Sequence, residues 1–302
     1  ALDWAEALGA EIVSCDALQC YRGMDVGTAK PSAAERARVR HHLLDVVPVT
    51  EPMDVIRYTR LALAAVEDIQ ARGRNVLITG GSGFYLKTFF AALSDTVAVT
   101  PAARAEAAAL LDAGLPAMLE RLHALNPDGL GDLHTANPRR VWKALERCLS
   151  TGLTLAELAA RHAHQPAPFA AWEKRTVLLM RSAEGLWPRI VARTEAMLAA
   201  GLVAEVRALR AVGLDQNPSA ASAIGYREVR RFLDSCPDGR ATAAAAASLR
   251  DEIALHTRQL AAKQKKWFRH QLTSEVTLDL DTISPETALR QCRALESGAA
   301  SP

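Results

Sequence analysis

The residue best placed for chemistry in this chain is Asp16, because of what precedes and follows it. A short apolar run, Glu11-Ile12-Val13-Ser14-Cys15, leads into Asp16-Ala17-Leu18-Gln19-Cys20-Tyr21-Arg22-Gly23-Met24-Asp25-Val26-Gly27-Thr28-Ala29-Lys30-Pro31. The run reads as a sheet strand, so Asp16 stands at its carboxyl end, the rim where open α/β sheets bind ligands. A carboxylate there suits proton transfer, and a glycine-bearing loop ending in Lys30 suits phosphate, which lysine meets as a point charge. The bland alternatives are a turn-capping aspartate and a solvated lysine.

Three further groups carry chemical interest. Gly80-Gly81-Ser82-Gly83-Phe84-Tyr85-Leu86 lies between an apolar run at 75–79 and a helix. Such glycines either let the backbone approach an anion at a helix N-terminus or simply make a tight turn. The spacing is not that of a dinucleotide-binding loop. Asn137-Pro138-Arg139-Arg140-Val141-Trp142-Lys143 opens a helix with three cations and an aromatic, and residues 258–270 are denser still. Cations interleaved with aromatics suit RNA, whose phosphates meet Lys and Arg while unstacked bases meet flat rings. For Trp267 and Phe268 the preferred reading is the core; for the lysines and arginines it is a polyanion. His41-His42 enter a strand, where neighbours face opposite ways; they read as structural, and no metal-ligating set is identified. Ser82 has no histidine partner legible in the sequence, which argues against serine-hydrolase chemistry.

The elements that must position these residues alternate strand and helix. Strands are expected at 11–15, 43–47, 75–79, 176–180 and 276–280. Helices are expected at 55–72, 102–113, 115–124, 138–150, 154–162, 184–199, 202–212, 224–234 and 241–270, with a weakly ordered tail over the last twenty residues. The pattern predicts an α/β core with a parallel sheet over 1–95 and 170–302, interrupted by a helical insertion over 96–169. At 302 residues, 49% hydrophobic and 23% charged, the chain can bury a sizeable core; a net charge of only +2 requires any nucleic-acid surface to come from local clustering. Five scattered cysteines, at 15, 20, 148, 236 and 292, read as reduced thiols of a cytoplasmic protein. No apolar run is long enough for a membrane span, no secretory signal opens the chain, and a monomer is expected. The first amphipathic helix is already under way at Ala1.

The stretch 16–31 closely resembles the Asp-Ser-x-Gln-Val-Tyr…Gly-Thr-Ala-Lys-Pro signature of bacterial tRNA dimethylallyltransferases. Further blocks fall in that family's order: His41 to Asp45, Gly80 to Leu86, Pro138 to Glu146, Gly201-Leu202 with Glu205-Val206, Ala223 to Glu228, and Thr257 to Leu260 through Trp267-Phe268-Arg269. The resemblance implies a core like that of P-loop kinases and an insertion that grips the tRNA anticodon stem-loop. The implied reaction moves a dimethylallyl group from dimethylallyl diphosphate to N6 of the adenosine 3′ of the anticodon, with that base flipped out.

By resemblance Asp16 is the general base, Thr28, Lys30 and Arg227 position the diphosphate, and Mg²⁺ assists. The implied tRNA contacts are Asp16, Ala17, Leu18, Gln19, Ser82, Arg104, Arg139, Arg140, Val141, Trp142 and Lys143. They continue with Ala221, Ser222, Ala223, Ile224, Gly225 and Tyr226, and then with Lys263, Gln264, Lys265, Lys266, Trp267, Phe268 and Arg269. Ala17, Cys20, Ser82 and Lys143 replace the usual serine, aliphatic, threonine and arginine, and Ala262 stands where lysine is frequent. Competing readings are an isopentenyltransferase for free adenine nucleotides, a non-catalytic tRNA-binding protein and a small-molecule kinase. The basic segment 258–270 argues against the first and the last.

The family's first strand and its Gly-x-Thr-x-x-Gly-Lys-Ser/Thr loop, expected just before Ala1, do not occur in this sequence. That loop cradles a diphosphate through backbone N–H groups. The 302-residue chain alone is therefore expected to be poorly stable and nearly inactive. Dimethylallyl transfer measured with and without such a loop fused ahead of Ala1 tests this, and equal rates refute it.

Overall fold

The computed structural model describes residues 1–92, 97–235 and 242–296, and it separates into two compact units. Cys236 and the end of the expected tail lie outside the described residues.

The first unit contains residues 1–89 and the chain from 171 onward. Helix α1 (Leu2–Ala7) leads into β1 (Ala10–Ser14), every residue of which is buried. After the signature loop come the short α2 (Ala33–Arg38) and β2 (His41–His42), then α3 (Val55–Ala71) and β3 (Asn75–Thr79). All three strands are parallel, in the order β2-β1-β3, with Ile12 opposite both His41 and Leu77. Burial on both faces is what a parallel sheet covered by helices requires.

The strand expected at 43–47 is two residues at 41–42 instead. Leu43 and Asp45 have φ of 65° and 57°, outside the strand region, so the ladder breaks there and only Val47 returns to bridge Tyr21. The apolar run failed as a signal because its residues are buried by loop packing, with Leu43 and Val47 both in the core.

Helix α3 starts where Asp54 accepts a hydrogen bond from Arg57 N and buries Tyr58, Ala62, Val66 and Ile69, the three-and-four spacing of one face. A short α4 (Gly83–Leu86) follows β3.

The second unit, beginning at Phe90 and ending at Ala170, is helical throughout its described residues. It comprises α5 (Pro101–Ala113), α6 (Leu115–Leu125), α7 (Pro138–Thr151) and α8 (Leu155–Ala163). Side-chain caps start three of them, from Thr100, Asn137 and, as a full capping box with Glu157, Thr154. Their shared core is Ala107, Met118, Leu122, Leu130, Val141, Ala144, Leu145, Cys148 and Leu158. Buried Asn126 ties α6 to α8 by donating to Leu122 O and accepting from Leu155 N.

The first unit resumes with β4 (Val177–Met180), α9 (Ala183–Ala199), α10 (Leu202–Ala211), α11 (Pro218–Ala221), α12 (Tyr226–Ser235), α13 (Ala243–Gln271) and β5 (Val276–Asp279). Strands β4 and β5 pair in parallel as a second sheet. The tail expected to be weakly ordered instead carries α14 (Pro285–Glu296). Ser284 Oγ accepts from Thr287 N at its start, and Cys292 is buried along it. The signal was present as Ala288, Leu289, Cys292 and Leu295 at helical spacing, in a segment too short and polar to stand out.

The described cysteines 15, 20, 148 and 292 are free thiols, and burial pushes those of Cys15 and Cys20 up to about 12. No described helix is long and apolar enough to cross a membrane.

One charge sits inside the sheet. Glu11 on β1 accepts hydrogen bonds from Arg72 and faces His42 Nε2 at 2.6 Å, which holds its carboxyl down at about 2. A folded-state value below the unfolded one stabilises the protein above about pH 4.5, and that contribution fades as pH falls toward 2. Glu11→Gln is expected to lower stability near neutrality by about 1.5–3 kcal/mol. Denaturant melts from pH 7 to 3 should show a flatter acid limb than the parent's; parallel limbs would refute the assignment.

Candidate active site at the strand rim

The carboxyl ends of β1 and β3 meet through backbone. Cys15 N donates to Thr79 O at 2.7 Å, and Ser82 N donates to Cys15 O at 3.2 Å. A Cβ on Gly80 would lie 2.1 Å from Cys15 O, so only glycine permits this approach. Helix α13 then closes over the loop. Gln264 Nε2 donates to Gly81 O at 2.9 Å, and a Cβ on Gly81 would strike that amide at 2.5 Å. The Trp267 ring lies on Gly83, where a Cβ would come within 2.4 Å of it. The three glycines make room for a carbonyl, an amide and an indole. Of the two sequence readings of the motif, tight packing is the one the geometry supports. Phe268 meets Trp267 edge to face at 5.3 Å, and both are half-buried.

Asp16 emerges from this junction half-buried. Its Oδ1 accepts from Leu18 N at 2.8 Å and Gln19 N at 3.2 Å, so the turn-capping role is real. Among the described residues its Oδ2 has no hydrogen-bond partner and is open to a proton. Ala17 and Leu18 are half-buried in the same turn. Gln19 spans from Ser14 Oγ at 3.0 Å to Thr28 O at 3.3 Å, coupling the Asp16 turn to the rest of the loop. Beneath it, Tyr58 donates to Ser14 O and stacks on Tyr85 with centroids 4.3 Å apart. Burial raises both phenols, so these rings are neutral supports.

Two residues expected at the diphosphate are otherwise engaged. Lys30 Nζ donates to Tyr21 O at 2.8 Å and to Asp25 Oδ1 and Asp45 Oδ1, each at 2.6 Å, and its side chain is 1% exposed. Three ammonium hydrogens meet three acceptors, which leaves none for phosphate. Thr28 Oγ1 is buried and donates to Met24 O at 2.7 Å. Both residues hold the loop's shape.

Sequence reasoning missed the group that fixes this loop from outside. The Glu205 carboxylate on α10 accepts from Asp25 N, Val26 N and Gly27 N at 2.7–3.1 Å, and from Tyr226 Oη at 2.6 Å. Gly27 lies against the Tyr226 ring, where a Cβ would come within 2.5 Å. The block containing Glu205 was legible as a resemblance, but a partner some 180 positions away leaves no local signal.

The residues at 221–226 divide accordingly. Ala221, Ala223, Gly225 and Tyr226 are buried, and a buried side chain is not offered to RNA; Ser222 is exposed and Ile224 half-buried. Arg227 bonds Glu228 and touches His256 Nδ1 at 3.0 Å, with a third of its side chain exposed. Burial would raise the Glu228 carboxyl, but backbone N–H groups and Arg227 outweigh it and hold it ionised.

Glu228, Glu252 and His256 cluster closely enough to suggest a metal. They fit Mg²⁺ poorly: Glu228 is filled by Gly225 N, Arg227 and His256, while Glu252 pairs with Arg231.

On α13, Lys263, Lys266 and Arg269 are exposed and Lys265 is half-buried. In the second unit Arg104, Arg139, Arg140 and Lys143 are exposed. Lys143 pairs with buried Glu146 and lies 4.3 Å over the ring of half-buried Trp142. Val141, expected at RNA, is fully buried in that unit's core.

Lys30→Met strips Asp25 and Asp45 of their shared cation. It is expected to lower stability by roughly 2–3 kcal/mol, less than a fully buried pair because Asp25 is largely exposed. Urea melts would show this; parent-like stability combined with lost diphosphate affinity would restore the phosphate role.

The family model for IPP transferases matches residues 19–271. The chain is 57% identical over 279 residues to the tRNA dimethylallyltransferase of Opitutus terrae, spanning 92% of this chain and 88% of that protein. It is 42% identical over 266 residues to that of Salinispora arenicola, spanning 88% and 74%. The crystal structure of the tRNA isopentenylpyrophosphate transferase of Bacillus halodurans superposes with TM-score 0.66 at 26% identity, over 99% of this chain and 90% of that one. A eukaryotic dimethylallyltransferase acting on tRNA shares the fold at TM-score 0.80 and 22% identity, over 99% and 76%. With matches this long, and with residues 19–31 of the signature loop inside the family model, the chain belongs to the IPP transferase family, the tRNA dimethylallyltransferases.

Proposed function

We propose that this protein transfers a dimethylallyl group from dimethylallyl diphosphate to N6 of the adenosine 3′ of the anticodon, with Asp16 as general base. The observation that carries the role of Asp16 is its half-committed carboxylate. One oxygen is held by the turn and fixes the group at the rim; the other has no hydrogen-bond partner among the described residues.

The chemistry asks for such a group. The N6 lone pair is delocalised into the purine, so the amine is a weak nucleophile. As the N6–C1 bond forms, the C1–O bond to diphosphate breaks and its electron pair leaves on the diphosphate oxygen. The surplus N6 proton passes to Asp16 Oδ2. General base catalysis of this kind contributes typically about 10²–10⁴-fold. The departing diphosphate needs cations, and Arg227, a third of whose side chain is exposed, is the candidate for that role. Family membership supports tRNA as the acceptor, and so do the exposed cations. Lys263, Lys266 and Arg269 on one unit, with Arg104, Arg139, Arg140 and Lys143 on the other, take the stem-loop phosphates.

Asp16→Asn keeps a carbonyl oxygen to cap the turn but removes the base. It is expected to lower dimethylallyl transfer by about 10²–10⁴-fold while tRNA stem-loop affinity stays within a few-fold. Transfer read by mass of the nucleoside, beside gel-shift affinity, tests both. With the diphosphate-cradling loop fused ahead of Ala1 in both proteins, parent-like transfer by the variant would remove Asp16 from the chemistry, and a loop-bearing parent that modifies no tRNA would remove the function.

A further inference from the structure

Glu205, half-buried on α10, has a set of partners that bears on Asp16. Its Oε2 accepts from Asp25 N at 3.0 Å and Val26 N at 2.7 Å, and its Oε1 from Gly27 N at 3.1 Å and Tyr226 Oη at 2.6 Å. Each oxygen therefore takes two donors. Among the described residues no lysine or arginine pairs with this carboxylate. A glutamate at a surface can be satisfied by water. One that gathers three consecutive backbone N–H groups dictates the path of the backbone that carries them.

That path is strained, and it leads to Asp16. Ala29, two residues past Gly27, has φ of 47°, a left-handed conformation unfavourable for a residue with a Cβ, so the loop needs an outside hold to keep its shape. Thr28 passes the shape on. Its carbonyl accepts from Gln19 Nε2 at 3.3 Å, and Gln19 N donates to Asp16 Oδ1 at 3.2 Å. Gln19 Oε1 is anchored in turn by Ser14 Oγ at 3.0 Å. Short contacts thus run without a break from Glu205 to the Asp16 turn. In the other direction Tyr226 opens α12, and the residue after it is Arg227. Burial raises the Tyr226 phenol and contact with Glu205 adds to the effect, so the hydroxyl stays protonated and donates.

We infer that Glu205 and Tyr226 are positioning residues for the transfer reaction. Their clamp holds the turn that carries Asp16 and the start of the helix that carries Arg227 in one fixed relation. The inference rests on the reaction proposed above, in which Asp16 takes the N6 proton. The competing reading is a clamp that stabilises the loop and has no bearing on Asp16.

Two substitutions separate these readings. Glu205→Gln keeps the size of the side chain, but its amide nitrogen replaces an oxygen that accepted two donors, so one pair is lost whichever way the amide turns. Tyr226→Phe removes one hydroxyl and leaves the ring that packs on Gly27.

Amide hydrogen exchange on the full chain reads the geometry without turnover. In Glu205→Gln, exchange is expected to quicken about tenfold or more at Leu18 and Gln19, which donate to Asp16, as well as at Val26 and Gly27, while Ile12 in the sheet keeps its parent rate. Kinetics read the consequence, with the diphosphate-cradling loop fused ahead of Ala1 in each protein. Glu205→Gln is expected to lower kcat about tenfold or more while KM for the tRNA stem-loop stays within about twofold. Tyr226→Phe should lower kcat by a smaller factor, again at unchanged KM. Glu11→Gln, which weakens the sheet away from the loop, should leave kcat as in the parent. Parent-like exchange at Leu18 and Gln19, parent-like kcat in Glu205→Gln, or an equal fall of kcat in Glu11→Gln would each overturn the inference. A loop-bearing parent that modifies no tRNA is instead a failure of the transfer reading, and exchange at Leu18 and Gln19 still decides whether the clamp sets the Asp16 turn.

Discussion

The carbonyl of Cys15 lies where a side chain on residue 80 would have to be, and the rest of the site is arranged around that contact. Because Gly80 has no side chain, the ends of β1 and β3 come together, and the loop after β3 turns back to hydrogen-bond Cys15. Because Gly81 and Gly83 have none, α13 lies directly on that loop through Gln264 and Trp267. Asp16 is the next residue after Cys15. Its position is therefore set by close-packed backbone, which tolerates little displacement. A carboxylate meant to accept one proton from a weak nucleophile needs that fixity, since misplacement of about 1 Å can cost a hundredfold in rate.

A second constraint acts on the same loop from the other side. Glu205 draws three consecutive backbone N–H groups and the Tyr226 hydroxyl onto one carboxylate, while Lys30 gathers two aspartates and a carbonyl inside the loop. Charge-assisted bonds of this kind are stronger than neutral ones, and here they fasten a segment that has no regular secondary structure between β1 and α2. Gly27, Thr28 and Lys30 are thus explained by architecture: space for the Tyr226 ring, a bond to Met24 O, and a buried ammonium. The cations proposed for phosphate chemistry instead keep part of their side chains exposed.

Much of this was legible in the sequence. The longer helices from α3 to α13 follow from apolar spacing, because amphipathicity is local, whereas the four-residue α11 was not expected. The Asp16 rim followed from one apolar run and one acid. What failed was β2, where Leu43 and Asp45 take left-handed backbone, and the C-terminal segment, where a modest helix was read as a loose tail.

The sequence by itself determined which residue types are available and in what local geometry: an acid after a strand, glycines after another, cations on helices. Tertiary structure alone decided which of them are free to react. Lys30 and Lys263 are both single positive charges in sequence; one ends buried among three acceptors and the other stands exposed on α13. The physical reason is that a charge's availability depends on the partners brought to it, and the decisive partners here, Asp45, Glu205, Gln264 and Trp267, arrive from distant parts of the chain. No local pattern encodes that pairing.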